Sequence, residues 1–183
     1  KVGHGAFFAG GFPNLTELDC SLNAWVDDAT LATLVASAPR LRKLTLEKTD
    51  VTDEGVASLG ALAPTLHYLD LSRTGVCFST AESHAALARM GALRSLLLMY
   101  TEIGLELALH LPRGVERLKL SRALNFTDDA LHCLAQRGLP SLTALDVGSP
   151  YVTDAALPAL EALAAAGLVS LTLWHCKVPR QAA

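Results

Sequence analysis

The residues able to do chemistry in this chain are few and scattered. Six histidines (His4, His67, His84, His110, His132, His175) and four cysteines (Cys20, Cys77, Cys133, Cys176) are spread along 183 residues. The adjacent pairs His132-Cys133 and His175-Cys176 offer the imidazole and thiolate donors that zinc takes. No Cys-x-x-Cys or His-x-x-x-His spacing completes either pair. No metal and no cofactor is therefore expected, with Cys133 and Cys176 buried and the histidines solvated. The acid pairs Asp27-Asp28 and Asp128-Asp129 would suit acid–base work if two carboxyls met across a cleft. Each instead precedes a run of apolar residues at helical spacing and reads as a helix start, where carboxylates meet free N–H groups and the positive helix end. Gly10-Gly11 before Phe12 reads as a turn rather than a phosphate cradle. A Gly-x-Ser-x-Gly turn, a phosphate loop and a dinucleotide fingerprint are all missing. The expectation is that the chain has no catalytic residues and is not an enzyme.

The elements that would position any site are written in a leucine pattern that restarts at 15, 41, 66, 93, 115, 142 and 168. The spacings are 26, 25, 27, 22, 27 and 26 residues. A fixed period of this size marks stacked repeats. Within the second unit Leu41, Leu44 and Leu46 are followed by Thr49. Residues two apart on a strand share a face, so Leu44 and Leu46 point inward while Lys43, Thr45 and Glu47 point out. The ninth position is often polar (Asn23, Thr49, Thr74, Thr101), where a side-chain oxygen can satisfy backbone groups left by the turn. An apolar anchor follows (Val26, Val51, Val76, Ile103, Phe126, Val152, Val178), then Thr52-Asp53, Thr127-Asp128 or Thr153-Asp154 at a helix start. Apolar spacings of three and four, as in Leu31, Leu34 and Val35, predict an amphipathic helix that Gly or Pro closes. One unit cannot bury both its faces, and stacking joins them into one core.

These motifs resemble the leucine-rich-repeat proteins across about 170 residues. The pattern L-x-x-L-x-L-x-x-[N/T/C] with a following Thr-Asp is similar to the cysteine-containing subclass found in the repeats of F-box substrate receptors. Cys stands at the ninth position only at Cys176, and the units from Leu66 and Leu93 lack Thr-Asp. The resemblance implies an α/β leucine-rich-repeat solenoid, a horseshoe arc with a parallel β-sheet on the concave face and helices on the convex face. It also implies a single domain over 1–183 and a role in binding other proteins.

Residues 1–13 read as the helix end of an earlier, truncated repeat, because Phe8 stands before Leu15 as Leu34 stands before Leu41. Neither end shows a polar cap, so the expectation is a fragment of a longer protein. A net charge of −3 excludes the basic excess of a general nucleic-acid binder. No apolar run of about 18 residues predicts a membrane span. The cysteines fall in alternate units, about 10 Å apart or more, too far for a disulfide. Reduced thiols predict a cytoplasmic or nuclear setting. The sequons Asn14-Leu15-Thr16 and Asn125-Phe126-Thr127 point instead to secretion, although Leu15 and Thr127 each have a place in the repeat.

Positions three, five, seven and eight of each motif should face a partner. On this surface Leu97, Met99 and Tyr100 are apolar where a solvated strand should be polar. They neighbour Tyr68 and are flanked by Arg73, Arg117, Lys119 and Arg122. An aromatic and aliphatic centre with a basic rim has the composition of a hot spot for a protein or peptide, acidic or phosphorylated. Trp174 with His175 is a second candidate. The expected function is a non-enzymatic protein–protein interaction scaffold. The alternatives are the substrate-recognition repeats of an F-box ubiquitin ligase, an extracellular recognition domain, and self-association through edge strands.

Overall fold

The computed structural model describes residues 11–178. Seven short strands pair in chain order into one parallel sheet. They are β1 (Glu17–Asp19), β2 (Lys43–Thr45), β3 (Tyr68–Asp70), β4 (Ser95–Leu97), β5 (Arg117–Ser121), β6 (Ala144–Gly148) and β7 (Ser170–Trp174). Each connection carries a helix: α1 (Asp28–Ser37), α2 (Asp53–Ser58), α3 (Ala81–Arg89), α4 (Leu105–His110), α5 (Asp128–Gln136) and α6 (Leu157–Ala165). The helices form one layer behind the sheet, so the other sheet face is open. The reading of residues 1–13 falls mostly outside the described residues. Among the described residues no helix is long and apolar enough to cross a membrane.

Register follows the leucine columns. Leu18, Leu44, Leu69, Leu96, Leu118, Leu145 and Leu171 are paired strand to strand. The four central members of that column, Leu44 to Leu118, are wholly buried. Truncating one of them to Ala costs about 2–5 kcal/mol, the sum of lost transfer energy and a residual cavity. The helix stripes that close the core include Leu31, Leu34, Leu131 and Leu134. Phe78 and Phe126 are the largest fully buried side chains.

The end of each strand shows how the chain turns. Position eight has a left-handed backbone in six of the seven units: Leu22, Lys48, Arg73, Tyr100, Arg122 and His175, with φ between 53° and 64°. Such a conformation costs about 1–3 kcal/mol for a residue with a Cβ. Hydrogen bonds offset it, for the N–H of Arg73 reaches the Met99 carbonyl at 2.8 Å and that of Tyr100 the Ser121 carbonyl at 3.0 Å. The ninth residue then secures the turn. The hydroxyls of Thr49, Thr74 and Thr101 donate to the carbonyls of Leu46, Leu71 and Leu98 at 2.6–2.7 Å.

The acids at the helix starts do more than cap. Asp27 caps α1, accepting from the Thr30 N–H at 2.8 Å. Asp28 instead clasps the next unit, accepting from the N–H and hydroxyl of Thr52 at 2.8 and 2.7 Å. Asp128 holds Thr153 with the same two distances. Thr127 makes no side-chain cap bond. The acid pairs do stand at helix starts as expected, and the acid one residue inside the helix also faces the neighbouring unit. Gly55 belongs to the same device: a Cβ there would collide with the Asp28 carboxylate.

Candidate partner-binding face

The open sheet face is a grid. Row three runs Tyr68, Ser95, Arg117, Ala144 and Ser170, and row five runs Asp70, Leu97, Lys119, Asp146 and Thr172. Rows seven and eight lie past them at the strand ends. The eight residues expected to form one site therefore fall into two groups. Tyr68, Leu97, Arg117 and Lys119 lie on the strands, whereas Arg73, Met99, Tyr100 and Arg122 lie along the turn edge. Leu97 and Met99 are half-buried, and Tyr100, Arg117, Lys119 and Arg122 are exposed. Several outward positions are not solvated as the alternation predicts. Asp70, Ser72, Ser95, Gly148 and Ser149 are buried. Small or self-bonded side chains lie low between larger neighbours, as when Asp70 accepts from the Ser72 N–H at 2.9 Å.

The tightest grouping is at the turn edge. The Arg73 guanidinium lies 4.0 Å from the centre of the Tyr100 ring, and that of Arg122 lies 5.3 Å away. Two cations bracket one aromatic ring, each contact contributing about 0.5–1 kcal/mol at an exposed site. The left-handed backbone at all three residues projects them from the edge in line. Arg73 is also paired with Glu47 at 3.3 Å. Among the described residues Arg117, Lys119 and Arg122 form no ion pair.

Beyond Arg122 the row breaks. The sixth unit has Gly148 between Ser121 and Trp174 and Ser149 between Arg122 and His175, and Ser149 turns inward, donating to the Phe126 carbonyl at 2.6 Å. A Cβ at Gly148 would lie 2.8 Å from the Arg122 backbone nitrogen and 3.3 Å from the Trp174 Cβ. The gap lets Trp174 and His175 of β7 and its turn face Tyr100 and Arg122 across a missing side chain. The hollow measures about 320 Å³ and is lined by Met99, Tyr100, Ser121, Arg122, Trp174 and His175. A second hollow of about 270 Å³ adjoins it over Leu124 and Pro150. The sequence separates Tyr100 from Trp174, but the structure joins them. The one signal available was the loss of a side chain at Gly148, in a row otherwise filled.

Parallel strands, a single helical layer and the leucine columns decide the fold. It is a leucine-rich-repeat solenoid. An internalin (inlF) from Listeria monocytogenes superposes with a TM-score of 0.59 at 19% identity, covering 90% of this chain and 49% of that one. Internalin C2 (inlC2) from the same organism gives 0.56 at 18% identity, over 96% of this chain and 76% of that one. Internalins are leucine-rich-repeat proteins. The chain thus spans about half the length of the first of these structures. No protein-family model and no curated protein matches the chain.

Electrostatics differ along the solenoid. Burial pushes the Tyr68 hydroxyl above its usual range, helped by the carboxylates of Asp70, Asp19 and Glu47. Tyr68 therefore lies near carboxylates, with the Lys43 ammonium 5.4 Å from its ring centre, and Arg73 and Arg122 gather around Tyr100. The Asp53 carboxyl is buried in the solenoid wall. Burial, the largest single influence, favours its protonation. It is outweighed by N–H bonds from Ser79, Cys77 and Phe78 and a hydroxyl bond from Ser79, which together hold it below the usual carboxylate range.

All four cysteines are free. Burial, with a smaller effect of Asp19, pushes the Cys20 thiol up to about 11, and burial also raises that of Cys176. Neither has the electropositive setting of a nucleophilic thiolate. Cys133 and Cys176 are half-buried rather than buried, and His84 is not solvated, its side chain being only 18% exposed. Both departures arise because packing between units, not the pattern within one, sets exposure.

Proposed function

We propose that this solenoid is a non-enzymatic scaffold that binds an acidic peptide segment of a protein partner along its open, concave sheet face. The site runs from Arg73 through Tyr100 and Arg122 to Trp174 and His175, with Met99 in its floor. Arg117, Lys119 and Leu97 extend it onto the strands, and Tyr68 flanks it. The observation that carries the reading is the hollow lined by Tyr100, Arg122 and Trp174, with Gly148 in the adjoining one, where two aromatic side chains and a guanidinium without an ion pair meet. An apolar or aromatic anchor fills such a hollow while carboxylates or a phosphate meet Arg122, Lys119 and Arg117. The fold likeness is compatible with this role and does not name the partner.

The test is fluorescence anisotropy with labelled acidic peptides that carry one aromatic residue, with and without phosphotyrosine, against a basic control. Wild type should bind an acidic peptide at low salt and lose affinity as salt rises. The Tyr100→Ala/Arg122→Glu variant, shown folded by circular dichroism, should bind at least about tenfold more weakly. Equal binding by both proteins would move recognition off this face. A pull-down from native extract with the same pair then identifies the partner, and a ubiquitin-ligase substrate among the wild-type-only proteins would favour the F-box reading.

A second reading, an extracellular recognition domain, is favoured by the exposure of both sequon asparagines, Asn14 and Asn125. Glycan mass on either in native material decides for it. The free thiols favour the reducing setting of the cytoplasm or nucleus.

A further inference from the structure

The acid clasp made by Asp28, Asp53 and Asp128 does not recur between the third and fourth units, and a different cluster stands on the helical wall there. His84 of α3 faces Glu106 and His110 of α4. The His84 Nε2 is 3.7 Å and the His110 Nδ1 3.9 Å from the Glu106 Oε2. One ligand atom from each of the three residues lies within 4.8 Å of the others. The imidazoles are stacked with centres 4.1 Å apart and planes 5° from parallel. Among the described residues no other group of His, Cys, Asp and Glu side chains meets in this way. Nothing in the partner-binding face uses it, since it lies on the opposite side of the core.

We propose that His84, Glu106 and His110 form a binding site for a divalent transition metal, zinc first. Two imidazoles and one carboxylate, with water in the fourth position, are a common zinc donor set. With bonds of about 2.0–2.1 Å, tetrahedral donors lie roughly 3.3 Å apart. The separations from Glu106 exceed that by about half an ångström, which a rotation of its 50%-exposed side chain supplies. The two rings must tilt out of their stack so that their lone pairs converge. Each ring nitrogen facing Glu106 now shares a proton with a backbone carbonyl, His84 with Phe78 at 2.7 Å and His110 with Glu106 at 2.9 Å. Binding exchanges these hydrogen bonds for metal bonds and moves each proton to the other nitrogen of its ring. Solvent reaches the site past Glu106 and His110.

Two further facts fit a device at this junction. The fourth unit is the shortest, at 22 residues, and its helix α4 has six residues, two of them Glu106 and His110. Glu106 and His110 stand four apart on α4, which places both donors on one helical face.

The experiment is cobalt(II) and zinc(II) titration of the full chain, with Glu106→Gln and His110→Ala variants, both at partly exposed positions. Wild type should take up one cobalt per chain. It should show visible d–d absorption without a thiolate charge-transfer band, and zinc should displace the cobalt. Zinc at a hundredfold excess over Kd should raise Tm by roughly 5–10 °C. Each variant should weaken binding by about tenfold or more and remove the Tm shift. A thiolate band, unchanged affinity in the variants, or no uptake at millimolar metal would each overturn the proposal.

Discussion

The first three units and the last four share one backbone plan and differ in where their polar groups find partners. In the first three the partners are inside the chain. Glu17 pairs with Lys43 at 3.9 Å and Glu47 with Arg73 at 3.3 Å, while Asp28 and Asp53 clasp the next unit. In the last four Arg94 still pairs with Glu116 at 3.7 Å, but on the open face Arg117, Lys119 and Arg122 form no ion pair among the described residues. The clasp returns once, from Asp128 to Thr153. The contrast teaches that satisfying charges within the solenoid makes a wall, and leaving them unsatisfied beside a hollow makes a surface fit for a ligand.

The contrast can be broken most severely at Asp53. Asp53→Ala leaves three buried or half-buried N–H groups without their acceptor and should cost about 3 kcal/mol, read as a fall in urea midpoint. Peptide binding at Tyr100 should survive while the protein is folded. Next in size is the open half itself. Tyr100→Ala should weaken peptide binding by about 2 kcal/mol in anisotropy titrations while thermal stability changes little. Gly148→Val sharpens the same point. It should abolish binding by closing the hollow and lower stability by about 1–3 kcal/mol, because the new side chain overpacks against the Arg122 backbone.

A smaller effect is expected from pH. The Asp53 carboxyl is depressed in the fold, so its stabilisation is fully present above the ordinary value of 3.8 and is lost as pH falls through its lower folded value. Unfolding scans between neutral pH and pH 3 should show that loss in wild type, and Asp53→Asn should flatten it. The smallest effect should come from Glu47→Gln. An exposed ion pair contributes about 0–1 kcal/mol, so stability should barely move. Affinity for an acidic peptide should rise, because Arg73 is released to join Arg122 beside Tyr100. No gain in affinity would mean that Arg73 serves the wall and not the ligand.

Much of this was legible in the residues. The unit starts, the inward columns from Leu44 to Leu118 and the turn role of Thr49, Thr74 and Thr101 follow from local periodicity and side-chain chemistry. Leu97, Met99 and Tyr100 stood out as misfits in that periodicity, with Arg73 and Arg122 on their basic rim. Less visible were roles that span two units. Asp28 and Asp128 look like helix caps until Thr52 and Thr153 are placed beside them. Trp174 looks like an edge residue until Gly148 leaves a gap in front of it. His84 and His110 look like unrelated surface histidines until α3 and α4 are stacked.

The sequence by itself determined the repeat, its phase and the face each strand residue takes. Those depend on a period of two along a strand and on apolar burial, both encoded within one unit. Only the tertiary structure decided which side chains meet across units about 26 residues apart. That depends on strand register, on the left-handed residue that aims row eight, and on where one unit omits a side chain that its neighbours keep.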